Sequence, residues 1–153
     1  MDSIDDSLAG RVALVTGACG GIGRAICQRL AAEGVRLVLV DRDAEGVEAL
    51  ASSLASDTFV SVVDVSDAEA VASQHEHIVR QFSGIDILVN CAGILSNNKL
   101  LTTDPAEWRH VMSVNLDSAL YWSQAVVPRM RDKGFGRIIN ITSFAWKAGG
   151  LTA

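Results

Sequence analysis

Short apolar runs alternate with longer amphipathic stretches along most of this chain. The runs are rich in Val, Ile and Leu, which is typical of parallel strands buried on both faces. Apolar residues in the stretches recur every three to four positions, as Ile22, Ile26 and Leu30 do, which predicts amphipathic helices. We therefore predict strands over residues 12–15, 35–40, 59–63, 85–89 and 136–141, and helices over 21–33, 44–55, 67–82 and 105–131.

Strands that alternate with helices predict an α/β fold: a doubly wound parallel sheet with helices on both faces, in three layers. No repeat or linker interrupts the pattern, so we expect one domain over residues 10–153 after an N-terminal tail, residues 1–9. Asp104 followed by Pro105 predicts a helix start. Glu107, three residues after Asp104, resembles the second half of a capping box.

Composition narrows the functional classes. Of 153 residues, 49% are hydrophobic and 20% charged, which indicates a globular protein, and the net charge of −5 argues against nucleic-acid binding. No apolar run approaches the ~18 residues of a membrane span, and the acidic N-terminus lacks the features of a targeting signal. We expect a cytoplasmic protein that binds neither nucleic acid nor membrane.

No metal site is expected. Cys19, Cys27 and Cys91 show no Cys-x-x-Cys spacing, which argues against zinc and a disulfide framework. His75 and His77 are two residues apart on a predicted helix, so they point to different sides and are expected on a solvated face. Cys19 is interpreted as a small residue filling a loop. Its position near a helix N-terminus leaves open a lowered pKa and a redox role.

A glycine-rich segment, Thr16 to Gly23, separates the first predicted strand from the first helix. A dinucleotide's pyrophosphate binds at this position, on the free N–H groups of the helix N-terminus. Gly17 would permit the tight turn, Gly21 a close approach of the phosphates, and Gly23 close packing of helix and strand. The flanking strand and helix make this a strong prediction of dinucleotide binding.

Asp41 ends the second predicted strand, 18 residues after Gly23, against about 20 in this type of site. A carboxylate there can accept hydrogen bonds from the adenosine ribose and would repel a 2′-phosphate, which favours NAD over NADP. NADP remains an alternative coenzyme, because the guanidinium of Arg42 beside Asp41 could bind the 2′-phosphate. Asp41 could instead cap the following helix.

Two motifs resemble the short-chain dehydrogenases/reductases in their single-domain form: Thr16-Gly-x-x-x-Gly-Ile-Gly23, and Asn90-Cys91-Ala92-Gly93 after the fourth strand. Cys91 stands where the family's Asn-Asn-Ala-Gly element has its second Asn. The resemblance covers the chain from about Leu8 onward and implies a Rossmann-like sheet of order 3-2-1-4-5 whose C-terminal strands are missing here. It also implies NAD(P) as cofactor, with contacts from Ile22, Asp64, Val65, Asn90, Ala92 and Gly93.

The resemblance further implies two catalytic residues. Asn115 matches the family's asparagine, whose backbone carbonyl holds a water in a proton relay. Ser143, after the fifth strand, matches the serine that orients the substrate oxygen. Without the resemblance, Asn115 would be an ordinary polar helix residue and Ser143 a turn former at a strand end.

The family's remaining catalytic pair, Tyr-x-x-x-Lys, follows the serine at a distance that would place it beyond Ala153. Tyr121 precedes the serine and has Ala125, not Lys, four positions later. Lys147 has no tyrosine four residues before it. We therefore expect the N-terminal part of a longer reductase, without carbonyl-reducing activity of its own.

The resemblance implies an NAD(P)-dependent oxidoreductase that transfers hydride between the nicotinamide and a small carbonyl/alcohol substrate. A 3-oxoacyl-carrier-protein-reductase-like activity is one subtype, and alcohol, sugar and steroid substrates are equally compatible. A homo-oligomer, dimer or tetramer, is implied for the full-length protein, with Trp108 and Trp122 in helix packing or subunit contact. If 153 residues were the natural length, a non-catalytic dinucleotide-binding or regulatory protein would be the alternative.

Overall fold

The structure, a computed structural model, describes residues 8–96 and 98–143, without the side chain of Leu100. Most of the predicted tail, residues 1–9, and Lys147 lie outside these ranges. The strands are β1 Val12–Thr16, β2 Arg36–Asp41, β3 Thr58–Val62, β4 Ile87–Asn90 and β5 Arg137–Asn140. The helices are α1 Gly21–Ala32, α2 Ala44–Ser53, α3 Ala68–Phe82, α4 Pro105–Met112 and α5 Ser118–Lys133, with a 3-10 turn at Leu100–Thr102 and a π-helical segment at Ser113–Asp117.

All strand pairs of this sheet are parallel, in the order β3-β2-β1-β4-β5. The predicted α/β fold and strand order are therefore confirmed. Successive side chains of a strand point to opposite faces, so each buried strand serves two cores. Val12 and Leu14 of β1 pack in one core with α3 and α5, whereas Ala13 and Val15 pack in the other with α1 and α2.

The prediction of one long helix over 105–131 is wrong about its continuity. It is divided by the π-helical segment Ser113–Asp117, which separates α4 from α5. A π-helical turn adds one residue to the hydrogen-bonded ring and often occurs at functional sites. The side chains on either side continue a helical pattern, so the apolar periodicity does not reveal the wider turn.

At the start of α4, the predicted N-cap is confirmed and the predicted capping box is wrong. The carboxylate of Asp104 accepts a hydrogen bond from the backbone N–H of Ala106, and Pro105 occupies the first helical position. The carboxylate of Glu107 does not complete a capping box. Its two oxygens accept hydrogen bonds from Ser96 and Asn98 in the segment that follows β4.

Among the helices in the described part of the chain, none is long and apolar enough to cross a membrane.

Candidate functional site

A cleft of about 490 Å³ crosses the carboxyl ends of the strands. In a parallel α/β sheet, ligands bind in the crevice at these strand ends. The cleft wall does not include Asn90, one of the predicted cofactor contacts, or the predicted catalytic residues Asn115 and Ser143. The other ten residues predicted to bind the cofactor all line it: Gly17, Gly21, Ile22, Gly23, Asp41, Arg42, Asp64, Val65, Ala92 and Gly93.

The glycines of the loop between β1 and α1 have three different surroundings. Gly17 has φ +65°, and a Cβ there would lie 2.8 Å from the Cα of Ala92. A Cβ on Gly23 would lie 2.1 Å from the carbonyl oxygen of Gly17, so this glycine packs against the loop itself rather than the strand. A Cβ on Gly21 would meet open space. Gly17 and Gly23 therefore shape the loop, and Gly21 leaves the cleft open.

The N-terminus of α1 is free to receive an anion. Its N-cap, Gly20, has no side chain to accept hydrogen bonds from the first-turn amides, and no acidic residue stands in that turn. These amides and the helix dipole favour negative charge. With Gly21 leaving space beside them, they fit a diphosphate group, and Ile22 at 60% exposure offers an apolar contact next to it.

Asp41 is fixed by two backbone amides. Its carboxylate oxygens accept hydrogen bonds from Cys19 N at 2.9 Å and from Asp43 N at 3.1 Å. Asp43, not Asp41, caps α2 by accepting from Gly46 N at 3.0 Å, so the capping alternative for Asp41 is wrong. The carboxylate therefore lies at the end of β2 in a fixed orientation, with lone pairs left for a ligand in the cleft.

The environment of Cys19 raises the pKa of its thiol, whereas its position near a helix N-terminus had left a lowered pKa open. Burial and the negative charge of Asp41 raise the pKa of its thiol from 9.0 to about 11, and Asp43 adds to the rise. The thiolate is the reactive form of cysteine, so Cys19 stays protonated at neutral pH. This supports its interpretation as a residue that fills the loop.

Asp64 presents a charged carboxylate to the cleft beyond the end of β3. Its oxygen accepts hydrogen bonds from the hydroxyl and the backbone N–H of Ser66, at 2.7 and 2.9 Å. These bonds hold the pKa of Asp64 below its usual value. Val65, next in sequence, is buried and forms part of the cleft wall.

The segment after β4 is attached to β1 by Thr16, a residue not predicted to belong to the site. The hydroxyl of Thr16, buried at the end of β1, accepts hydrogen bonds from Cys91 N and Ala92 N, both at 3.0 Å. A threonine at the last position of a strand before a glycine loop is the only signal for this role in the sequence. Thr16 thus fixes Ala92 and Gly93 at the cleft.

Asn115 lies in the π-helical segment, and its side chain binds the backbone of Ile94. Its Oδ1 accepts from Ile94 N at 2.8 Å, and its Nδ2 donates to Ile94 O at 2.9 Å. Ile94 lines the cleft. The side-chain amide therefore holds the cleft wall, and the relay role of the backbone carbonyl stays a prediction.

Asn90 connects β4 and β5 rather than facing the cleft. Its Nδ2 donates to Asn140 Oδ1 at 2.8 Å, while its buried Oδ1 has no hydrogen-bond partner within the described residues. Ser143 is exposed three residues after the end of β5. The predicted catalytic and binding residues therefore all lie at the carboxyl end of the sheet.

The aromatic and histidine residues that were not assigned to the site lie on helices, some buried and some exposed. Tyr121 packs against the core under α5, and Trp122 is fully buried there. Trp108 is 60% exposed. His75 is partly buried rather than on a solvated face, and its burial lowers its pKa, whereas His77 is exposed as expected.

Comparisons with known proteins agree with this geometry. The family model for short chain dehydrogenases matches residues 11–152. The 3-oxoacyl-acyl-carrier-protein reductase FabG of Haemophilus influenzae is 39% identical over 142 residues, which are 93% of this chain and 59% of the relative. D-threitol dehydrogenase of Mycolicibacterium smegmatis is 40% identical over 144 residues, covering 92% of this chain and 55% of the relative.

A solved structure shows the same architecture. A metagenomic short-chain oxidoreductase in complex with NADP superposes with a TM-score of 0.83 at 36% identity, over 93% of this chain and 66% of that one. The chain spans a little over half the length of the two curated relatives. The matched family model, the relatives and the fold agree: this chain belongs to the short-chain dehydrogenase family.

Proposed function

We propose that this chain forms the cofactor-binding part of an NAD(P)-dependent oxidoreductase that acts on a carbonyl/alcohol pair. The observation that carries the proposal is the cleft itself, where the uncapped N-terminus of α1, the open space at Gly21 and the fixed carboxylate of Asp41 lie together. Family membership supports the reaction class. When bound, the nicotinamide would supply or accept the hydride.

The chain's own residues would hold the cofactor in order along the cleft. The pyrophosphate would bind the N–H groups at the start of α1, and Asp41 would accept hydrogen bonds from the adenosine ribose. Asp64 and Val65 would contact the adenine. Ala92 and Gly93, with Asn90 behind them, would contact the nicotinamide half, because they follow the strand on the opposite side of β1.

Two residues would act on the substrate side. The Ser143 hydroxyl would orient the substrate oxygen and stabilise charge that develops on it, and the backbone carbonyl of Asn115 would hold a water for proton transfer. The similarity to 3-oxoacyl-acyl-carrier-protein reductases and to a polyol dehydrogenase supports a small carbonyl compound as substrate. We further propose a cytoplasmic homo-oligomer. The described cysteines are free, which suits a reducing compartment, and exposed Trp108 and Leu120 suit subunit contact.

The coenzyme preference tests the role of Asp41. We expect the purified chain to bind NADH more tightly than NADPH, because the Asp41 carboxylate repels a 2′-phosphate while accepting from a ribose hydroxyl. Asp41→Asn keeps one acceptor for the Cys19 amide but removes the charge, so the preference should shrink by about tenfold, or ~1.4 kcal/mol. Fluorescence titration with both coenzymes measures it.

Tighter binding of NADPH to the unmodified chain would overturn the argument from Asp41 and point to Arg42 as the phosphate contact. Arg42→Gln serves as the matched variant, since Arg42 lies in the same cleft wall. Absence of binding to either coenzyme would contradict the proposed function.

A further inference from the structure

Glu107 on α4 connects this helix to the segment that follows β4. Its Oε1 accepts a hydrogen bond from Ser96 Oγ at 2.5 Å, and its Oε2 accepts one from Asn98 Nδ2. Ser96 Oγ also accepts from Asn98 N at 3.2 Å. These bonds lower the pKa of Glu107, so the carboxylate is charged at neutral pH.

The segment bound by Glu107 has apolar anchorage at Ile94, which packs against the core, but little at the exposed side chains that follow it. Leu95 is 82% exposed and Asn98 is exposed, so burial of these two side chains contributes little stability to the segment. Polar contacts add to the packing of Ile94. Asn115 supplies one set at Ile94, and Glu107 supplies the other at Ser96 and Asn98.

This segment follows directly from one wall of the cleft. Ile94 lines the cleft on the β4 side of the glycine loop, whereas Asp41 and Asp64 line it on the β2 and β3 side. A dinucleotide whose adenosine lies over Asp41 and whose pyrophosphate lies at α1 must place its second half on the β4 side. That half would lie next to Ile94.

We propose that Glu107 is a positioning residue for the nicotinamide half of the cofactor, a role that rests on the proposed dinucleotide binding. By holding Ser96 and Asn98, it keeps the backbone at Ile94 in the conformation that lines the cleft before the cofactor arrives. Preorganisation of this kind lowers the entropy lost on binding. The glutamate forgoes a capping-box bond at its own helix and binds this segment instead.

The test compares NADH with ADP, which lacks the nicotinamide half. In Glu107→Gln, one carboxylate oxygen becomes an amide donor, so the acceptor pair for Ser96 and Asn98 is lost. We expect NADH affinity to fall about three- to tenfold, the equivalent of one or two hydrogen bonds, with ADP affinity within about twofold of the unmodified chain. Isothermal titration calorimetry gives both constants.

Three further variants separate positioning from a general effect. Glu69→Gln makes the same charge change in the first turn of α3, at a residue that does not line the cleft, and should leave the ratio of the two affinities unchanged. Asn98→Ala, which leaves α4 intact, should reproduce the loss of NADH affinity. The double variant of Glu107→Gln and Asn98→Ala should lose little more than either alone, because both remove the same contact.

The outcomes distinguish the two proposals. If the unmodified chain binds neither NADH nor ADP, the proposed function fails. If it binds both, the inference about Glu107 is overturned by an unchanged NADH-to-ADP ratio in Glu107→Gln and Asn98→Ala. It is overturned equally by a parallel loss of both ligands in these two variants, which would indicate a structural role only.

Discussion

The glycines of the β1–α1 loop differ in whether a Cβ atom would fit at their positions. A methyl group on Gly23 would lie 2.1 Å from the carbonyl oxygen of Gly17, in backbone that cannot move aside easily. Gly23→Ala should therefore destabilise the fold by about 3 kcal/mol, at the upper end for overpacking. Urea unfolding followed by circular dichroism measures this change.

Gly21→Ala is the matched variant, because its methyl group enters open space in the cleft. Its free energy of unfolding should stay within about 1 kcal/mol of the unmodified chain, while the methyl group takes the space proposed for the phosphates. NADH binding should weaken in Gly21→Ala. Equal destabilisation by both substitutions would contradict this division of roles.

The role of a residue could be predicted where it depends on neighbours in sequence. It could not be predicted where the hydrogen-bond partner is distant in sequence. Gly17 could be assigned to a tight turn, and its φ of +65° agrees. Glu107 could not be assigned, because its spacing from Asp104 matches a capping box and nothing local shows that Ser96 and Asn98 fold back onto it. The same reason hides the hydrogen bonds between Asn115 and Ile94, which are 21 residues apart.

At the scale of elements, one hydroxyl attaches the segment after β4 to the end of β1. Thr16→Val keeps the shape of the side chain but leaves the amides of Cys91 and Ala92, which are partly buried, without this acceptor. A fully buried donor left unsatisfied costs about 1–3 kcal/mol, and water can reach partly buried amides, so we expect a loss of about 1–3 kcal/mol in the free energy of unfolding for the pair. Denaturant titration measures it.

Thr16→Ser is the control, since it keeps the acceptor and loses one methyl group, at a cost of about 1 kcal/mol. If Thr16→Ser is as unstable as Thr16→Val, packing of the methyl group rather than the hydroxyl holds the junction. A loss confined to Thr16→Val would assign the effect to the two hydrogen bonds.

Element types could be predicted because buried parallel strands are continuous apolar runs and helices have a different period. The predicted ends differ from those found by a few residues at most; the fourth strand, for example, begins at Ile87 rather than at residue 85. The π-helical segment Ser113–Asp117 could not be predicted, because the wider turn changes the hydrogen bonding without changing the residue types.

At the scale of the whole molecule, β5 has a strand neighbour on one side only within the described residues. Ile138 and Ile139 on it are 38% and 47% exposed. An apolar strand with an unpaired edge favours pairing between chains. We expect this chain to associate as its concentration rises, and Ile139→Lys to reduce that association, as measured by sedimentation velocity.

Leu101→Lys is the control, because Leu101 is 95% exposed but lies away from the sheet. Edge pairing predicts a larger effect from Ile139→Lys than from Leu101→Lys. Equal effects would indicate nonspecific apolar contact instead.

The two hydrogen bonds to Asp41 link coenzyme choice to the architecture of the cleft. The same carboxylate that would exclude a 2′-phosphate also accepts from the amide of Cys19 in the loop and of Asp43 before α2. A simple truncation such as Asp41→Ala would relax the choice of coenzyme and release both amides together. Efforts to convert this cleft to a different coenzyme therefore need a replacement that remains an acceptor, with the new positive charge introduced from a neighbouring position.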